Sequence, residues 1–438
     1  VTTEKILTAC VFSLVYVWLI ISKKHRAKAI WVGVLVLWAA GALLENPILG
    51  LRHLFEYDAT GWSSVNWNVI GIFAGTLLIA EAFVYSRVPA TLSDLLIDKS
   101  PNVCWAALGV CALSSFLSIF VENVATVLIV APIALEVARR QGFSPVPFVV
   151  GIAICSNLQG TATLIGDPPS MILASEYRMT FNDFFWFHGR PGIFFAVQVG
   201  AAAGFGVLWL FFRRFRGRPA LLPVEKVKGW LPTVMLGVMV VGLALSSLVD
   251  EDFMWWGAVL CLGLGFVCIL WVLRQNRGAA GGILKAYDTP TTLFLVAVFL
   301  MVRALENVGL IDDLARGIGG VTGSSMLGRF LVIVVFSMLV SAFIDNVPYL
   351  AVMLGVVHKL TGTAELGEAR FLLPFGLLVG ACIGGNITPV GASANIVAHG
   401  LLRREGKDVG FLEFVKFGLP FTLAATAGAA LFLWIVWR

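Results

Sequence analysis

Ser156-Asn157-Leu158-Gln159-Gly160-Thr161-Ala162-Thr163-Leu164-Ile165-Gly166-Asp167-Pro168-Pro169-Ser170 decides the fold. The run places amides, hydroxyls, glycines, two prolines and one aspartate inside an apolar segment, residues 146–174. Lipid offers no partner for an opened backbone, so a helix breaks at membrane depth only where it is buried in protein or lines a cavity. Gly160 and Gly166 permit backbone geometry closed to other residues. Pro168-Pro169 removes donors and frees carbonyls. An echo follows at Gly384-Gly385-Asn386-Ile387-Thr388-Pro389-Val390-Gly391-Ala392-Ser393-Ala394-Asn395.

The surrounding chain has the composition of a membrane protein. Of 438 residues, 59% are hydrophobic and 13% charged, against about 45–50% and 25% in soluble domains. Apolar windows of about 20 residues recur throughout, which predicts an all-α polytopic protein in the lipid bilayer. Short alternating strands, the mark of a membrane β-barrel, are absent. Ile6–Ile21 lacks a basic start and a small-residue cleavage site, and so reads as a retained helix rather than a signal peptide. The seven cysteines lie in apolar segments without metal spacing, so no disulfide framework and no metal site is expected. His25, His53, His188, His358 and His399 form no ligand cluster. Neither a Walker A run nor a nucleophile constellation is present, which argues against an enzyme and against a bound cofactor. The net charge of +5 is what cytoplasmic loops supply, and implies no nucleic acid.

In order, helices are expected at about 5–22, 29–49 and 66–86, then short pieces at 103–120 and 124–138, then 146–174 and 191–212. A basic linker, 213–228, divides the chain into repeats 1–212 and 229–438. Trp31-Val32-Gly33 recurs as Trp255-Trp256-Gly257, Asn66-Trp67-Asn68 as Asp288-Thr289-Pro290, and Glu122-Asn123-Val124 as Asp345-Asn346-Val347. Gly166 falls on Gly391, and residues 187–191 fall on 416–420. The offset runs only from 222 to 229 residues. The short pieces, parted by a charged tip, read as a re-entrant hairpin. Each half then has five crossings plus one hairpin, and an odd count inverts the second half, as in secondary transporters that bind near the midplane. One side receives 21 of the 31 Lys and Arg, including the linker, while the other carries Asp250-Glu251-Asp252. The positive-inside rule makes the first side cytoplasmic and both termini external.

Four polar elements reach membrane depth. The hairpin tips, Glu122-Asn123-Val124-Ala125-Thr126 and Asp345-Asn346-Val347-Pro348, each lead into a helix whose positive end faces the midplane. Their acids suit a proton or Na⁺; Asn and Thr acting as helix caps is the plainer reading. Asp167 is the sharpest residue, and its counterpart is Ala392. It serves either as a proton or cation carrier or as a partner for freed N–H groups. Glu81 and Arg303 hold matching positions and read as snorkelling or as a structural pair. Cys155 and Cys382 flank the polar stretches and read mainly as small apolar residues.

Residues 160–169, Asp345-Asn346-Val347-Pro348 and 385–395 together resemble the ion transporter superfamily, and within it the arsenite permease branch, which also holds relatives of the melanosomal P protein. The likeness covers essentially the whole chain. It implies a scaffold, here 5–86, 191–212, 229–302 and 416–437, and a transport module, 101–174 and 326–398, that moves against it. Some members export arsenite or antimonite with the proton gradient, others exchange Na⁺ for H⁺, and a related branch takes up dicarboxylates with Na⁺. Two departures stand out: Ser170 where the family often has Asn, and acidic tips where the dicarboxylate branch has Ser-Asn-Thr.

The expected function is proton-coupled efflux of arsenite, antimonite or a similar small hydroxide or oxyanion across the cell (inner) membrane. Asp167, Glu122 and Asp345 would be the coupling acids, for H⁺ or Na⁺. Asn123, Thr126, Asn157, Gly160, Thr161, Thr163, Gly166, Asn346, Asn386, Thr388, Gly391 and Asn395 would form the solute or ion site. The alternatives are a Na⁺/H⁺ antiporter and a Na⁺-coupled carboxylate or inorganic-anion importer. A homodimer, and a soluble ATPase on the basic linker, are the expected partners.

Overall fold

The structure is a computed structural model that describes residues 2–22, 25–43, 48, 65–218, 226–250, 254–322, 325–362 and 364–438. Residues 49–64, residues 251–253 with the acids Glu251 and Asp252, and part of the linker therefore lie outside the described residues, as does the end of the second expected helix. The first half comprises α1 (Thr2–Ile21), α2 (Arg26–Leu43), α3 (Trp67–Ser86), α4 (Val88–Asp98), α5 (Val103–Ser118), α6 (Asn123–Gln141), α7 (Val146–Gly160), α8 (Pro168–Tyr177) and α9 (Ile193–Phe212). The second comprises α10 (Leu231–Ala244), α11 (Trp256–Gln275), α12 (Arg277–Ala286), α13 (Thr289–Asn307), α14 (Leu310–Thr322), α15 (Met326–Ser341), α16 (Asn346–Thr361), α17 (Leu372–Gly384), α18 (Ser393–Arg404) and α19 (Phe411–Trp437). Strands β1 (Trp186–Phe187) and β2 (Arg190–Pro191) form a small antiparallel pair before α9, with Trp186 opposite Pro191. Among the described residues, seven helical stretches are long and apolar enough to cross a bilayer, and α5, α7, α10 and α15 are apolar but shorter.

The order α3, α4, hairpin α5–α6, broken helix α7–α8, α9 repeats as α13, α14, hairpin α15–α16, broken helix α17–α18, α19. Contacts between chain segments separate onto two ends of the bundle, as inversion requires. At the linker end, Lys228 N–H donates to Ser86 O (2.9 Å) and Val103 N–H to Gly217 O (2.9 Å). At the opposite end, Asn182 Nδ2 donates to Ala244 O (2.6 Å) and Arg190 Nη1 to Val436 O (2.7 Å). The two halves are inverted repeats, each with a hairpin that enters and leaves on one end.

The repeat matches hold where they mark helix starts. Asn66 and Asp288 are both N-caps, accepting from Val69 N–H (3.1 Å) and Thr291 N–H (3.0 Å). Two matches need correction. Residues 187–191 lie in the β-pair and its turn ahead of α9, whereas 416–420 lie inside α19. Trp31 lies within α2, whereas Trp255 is the N-cap of α11. Both are aromatic–glycine coincidences without a shared backbone role. The helices α4 and α14, which were not among the expected helices, precede the two hairpins at equivalent places.

Close packing ties the halves together. On α3, a Cβ added at Gly75 would fall 2.3 Å from the carbonyl carbon of Cys261 on α11. On α9, one added at Gly200 would fall 2.7 Å from Ala425 O on α19. Small residues at such crossings let backbones approach where lipid gives no hydrophobic drive for association. Within each half, the first hairpin arm packs along the broken helix, α5 on α7 and α15 on α17. Every residue of α7 and of α17 is buried. The broken helices are therefore surrounded by protein, the condition under which opened backbone survives at membrane depth.

Candidate functional site

The hairpin tips are built by their acids. Glu122 Oε2 accepts from Val124 N–H (2.9 Å) and Ala125 N–H (3.1 Å), and Asp345 Oδ1 accepts from Val347 N–H (3.1 Å). The plainer expectation gave capping to Asn and Thr; the structure gives it to the acids. The reason is position: each acid directly precedes the helix, where its carboxylate meets orphan N–H groups and the positive helix end. Asn123 Oδ1 instead accepts from Ser118 Oγ, and Ser156 Oγ donates to Asn123 O (3.2 Å). Thr126 Oγ1 is buried without a hydrogen-bond partner.

The two breaks share one construction. A Cβ on Gly166 would lie 2.4 Å from Gly160 O, and one on Gly391 would lie 2.3 Å from Gly385 O. Each glycine thus lets the chain fold back onto the end of its own helix. A Cβ on Gly160 would lie 2.4 Å from Asn123 Oδ1, which joins the first break to the first tip. Thr163 Oγ1 donates to Ile119 O (2.6 Å), and Thr388 Oγ1 to Ala342 O, so both threonines tie a break to the end of the facing hairpin arm. Thr161 Oγ1 donates to Asn157 O (3.3 Å).

Three amides join the halves at the centre. Asn157 Nδ2 donates to Asn386 Oδ1 (2.8 Å) and Asn395 Oδ1 (2.9 Å). Asn386 Nδ2 donates to Ile154 O (3.1 Å), and Asn395 Nδ2 to Gly385 O (3.0 Å) and Thr388 O (2.9 Å). Both donor hydrogens of Asn157 and of Asn395 are thereby committed, which leaves Asn157 Oδ1 as a free acceptor. Of the twelve polar and glycine positions expected to bind solute, Thr163, Thr388, Asn386 and Asn395 hold the breaks in shape.

Asp167 differs from the other two acids. It occupies the N-cap position of α8 and makes no capping bond. The next two residues are Pro168 and Pro169, so the first two positions of the helix carry no N–H. Ser170 N–H already goes to Asp167 O (3.1 Å). Asp167 is 8% exposed, and its carboxylate is met by Asn346 Nδ2 of the opposing tip at 3.5 Å. Asp167 is thus not a partner for freed N–H groups. Its counterpart Ala392 caps α18 with the same extended backbone and no carboxylate.

A residue that the sequence reading missed completes the arrangement. Arg26, counted there among loop charges, opens α2 and turns inward. Its Nη1 donates to Asp345 Oδ2 (3.0 Å) and Ser393 Oγ (3.0 Å), and its Nη2 to Thr291 Oγ1 (2.7 Å). Thr291 in turn bonds Asp288. The only sequence signal was an arginine three residues from the start of the apolar run at Ala29, indistinguishable from its basic neighbours.

The remaining expectations resolve simply. Arg303 pairs with Glu306 (3.2 Å), one turn along its own helix, rather than with Glu81. Cys155 lies beside Cys111 and Ser115, away from the break, whereas Cys382 faces Thr161 and Asp167. A cavity of about 740 Å³ opens at the end opposite the linker, lined by Glu176, Arg178, Arg303, Glu306, His358 and Arg370 among others. It contains none of the sequence-predicted site residues. Among the described residues, no group of three His, Cys, Asp or Glu is arranged to hold a metal ion.

Inverted repeats, paired hairpins and a central polar break are transporter architecture, and comparison with known proteins agrees. The CitMHS family model, described as citrate transporter, matches residues 16–357 and 258–438. The chain belongs to the CitMHS citrate transporter family. An uncharacterized transporter of Mycobacterium tuberculosis (strain H37Rv) is 30% identical to this CitMHS chain over 409 residues, covering 91% of it and 92% of the relative. The human P protein is 26% identical over 503 residues, 96% of this chain and 58% of its own length. The crystal structure of the Alcanivorax borkumensis YdaH transporter, described as having an unusual topology, is similar in fold: TM-score 0.63 at 16% identity, over 94% of this chain and 98% of that one. The CitMHS chain is a multi-pass secondary transporter and not an enzyme.

Proposed function

We propose that this CitMHS protein couples proton entry at Asp167 to the export of a small polar hydroxide such as arsenite or antimonite. The observation that carries the reading is the state of Asp167: a buried carboxylate at a helix start whose two prolines deny it capping donors. A carboxylate held at membrane depth with no capping N–H and only one long amide contact suits a reversible proton carrier. The neighbouring Asn157 Oδ1, Asn346, Thr126 and Thr161 offer acceptors and donors to hydroxyl groups, and an uncharged trihydroxide would not be repelled by Glu122 and Asp345. Residues 101–174 and 326–398 would move together against the remaining helices, which would also form a homodimer contact. The linker end would face the cytoplasm of the cell (inner) membrane, where a soluble ATPase is a candidate partner for the basic linker.

A second reading has its own support. Arg26 supplies a guanidinium beside the site, and the matching family model is described as citrate transporter. A carboxylate moving with a cation would use both signs of charge. Everted vesicles with an imposed proton gradient separate the readings. Arsenite should accumulate, and Asp167→Asn should cut the flux about tenfold or more. Failure of arsenite to accumulate while citrate moves with a cation supports the second reading. Dissipation of the gradient by Na⁺ without either solute supports Na⁺/H⁺ exchange. An Asp167→Asn protein that folds and transports normally refutes the role of Asp167 in every case.

A further inference from the structure

Arg26 stands where an arginine is least expected. It is the first residue of α2, and a cation in the first turn opposes the helix dipole. Its side chain is 21% exposed, that of Asp345 15%. The guanidinium lies over the Phe294 ring at 5.2 Å. It is anchored on one side by α13, through Thr291 and its partner Asp288. On the other side it holds Asp345 at the second hairpin tip and Ser393 at the start of α18. One fork therefore joins a pair of packed scaffold helices, α2 and α13, to both second-half elements that were read as mobile. The groups facing this junction are Glu122 and Asp167 from the first half, within Coulombic reach of Arg26, and Tyr16 of α1, within reach of Asp345 and of Tyr349 on α16.

The tips and breaks bring three acids, Glu122, Asp167 and Asp345, to the site, and the cation that compensates Asp345 belongs to another body. If the module moves away, Asp345 parts from Arg26 and would be left as an unpaired charge in a low-dielectric surrounding, which is strongly unfavourable. Departure is allowed once a proton or cation has taken the place of Arg26.

We propose that Arg26 is a positioning residue for coupling: a fixed counter-ion on α2 that retains the unloaded module through Asp345 and Ser393 and releases it on loading. This rests on the two-module reading of the proposed function. It assigns Arg26 a part in preventing slippage whichever solute is carried.

Proteoliposomes containing a pH-sensitive dye and no solute test it directly. Wild-type protein should pass few protons. Arg26→Gln should raise solute-free proton flux about fivefold or more, because the module is no longer held while Asp167 can still take up a proton. Arg26→Lys, which keeps the charge and loses the fork, should fall between. The double variant Arg26→Gln/Asp345→Asn should leak about as much as Arg26→Gln and no more, because both substitutions cut one tether and Asp167 is left to carry the proton. Solute-free flux in Arg26→Gln equal to wild type, or a double variant that leaks well beyond Arg26→Gln alone, overturns the proposal. A thermal double-mutant cycle in detergent reads the contact without transport: strictly additive Tm shifts for Arg26→Gln and Asp345→Asn refute the tether. Wild-type protein that moves neither arsenite nor citrate with protons would defeat the proposed function, while the thermal cycle would still judge the pair.

Discussion

Gly166→Ala is the sharpest test of how the first break is built. The added Cβ would lie 2.4 Å from Gly160 O, 2.9 Å from Gly160 Cα and 2.9 Å from Ser118 O. All three atoms are backbone, so no rotamer change relieves the contact. The chain must move away from the end of α7, from the first hairpin, or from both. Overpacking of this kind costs about 1–3 kcal/mol, at the upper end here because rigid elements face the methyl from two sides. The backbone at Gly166 is not in the left-handed region, so steric contact alone is at issue. Gly391→Ala, at 2.3 Å from Gly385 O, should behave alike. Gly109→Ala on α5 is the control: nothing lies within 4 Å of its Cβ, and alanine in a helix is favoured over glycine by about 1 kcal/mol. Thermal unfolding of purified protein in detergent should therefore rank Gly109→Ala at or above wild type and both break variants clearly below it. Solute flux should fall further than stability, because Gly160 also packs on Asn123 at the first tip. A Gly166→Ala protein as stable and active as Gly109→Ala would refute the account of the break.

Other consequences follow from the same geometry. Glu122→Ala should lose about 0.5–2 kcal/mol of stability, the ordinary worth of an N-cap, whereas Asp345→Ala should lose more because it also leaves Arg26 unpaired; equal Tm losses would contradict this. Thr163→Val, which keeps the shape and removes the donor to Ile119 O, should cost about 1–3 kcal/mol, seen as a lower Tm. Asp250, in the loop before α11, is opposed in ionising by burial, yet the N–H groups of Trp255, Met254 and Trp256 hold its carboxyl below the usual range. A depressed folded value makes its stabilisation complete above the unfolded aspartate pKa of about 3.9 and lost as pH falls through the lower folded value. Asp250→Asn should flatten that acid limb in a Tm-against-pH series; an unchanged limb would contradict the assignment.

The crossings and hairpins were legible because each rests on a local signal with one physical meaning. Asn66 and Asp288 cap matching helices, and Glu122 and Asp345 do the same at the tips, so polar residues at a steady offset mark equivalent starts. Glycines at 166 and 391 mark equivalent close approaches. What escaped was of two kinds. The helices α4 and α14 are short, 11 and 13 residues, so their apolar faces are too brief to register as spans. The amides Asn157, Asn386 and Asn395 were read as ligands because a polar residue at membrane depth demands a partner. That they partner one another across some 230 residues of sequence is a tertiary fact. Arg26 was hidden by the opposite error. In a cluster with Lys23, Lys24 and Lys28 it serves the positive-inside count, and only the contact with Asp345 distinguishes it.

The two halves divide the charge of the site unequally. Asp345 has a fixed guanidinium at 3.0 Å and a backbone N–H at 3.1 Å. Glu122 has two backbone N–H groups. Asp167 has one amide at 3.5 Å and no N–H from its own helix. A positive charge arriving from water gains most at the acid with the least compensation already in place, because it displaces nothing there. On the proposed reading that acid is Asp167, and Ala392 cannot do the same in the second half. The second half instead contributes the acid held by α2. Loading would then begin in the first half and be read out in the second, where release of Asp345 from Arg26 frees the module, so that a substitution at either end of this sequence should disturb coupling without abolishing the fold.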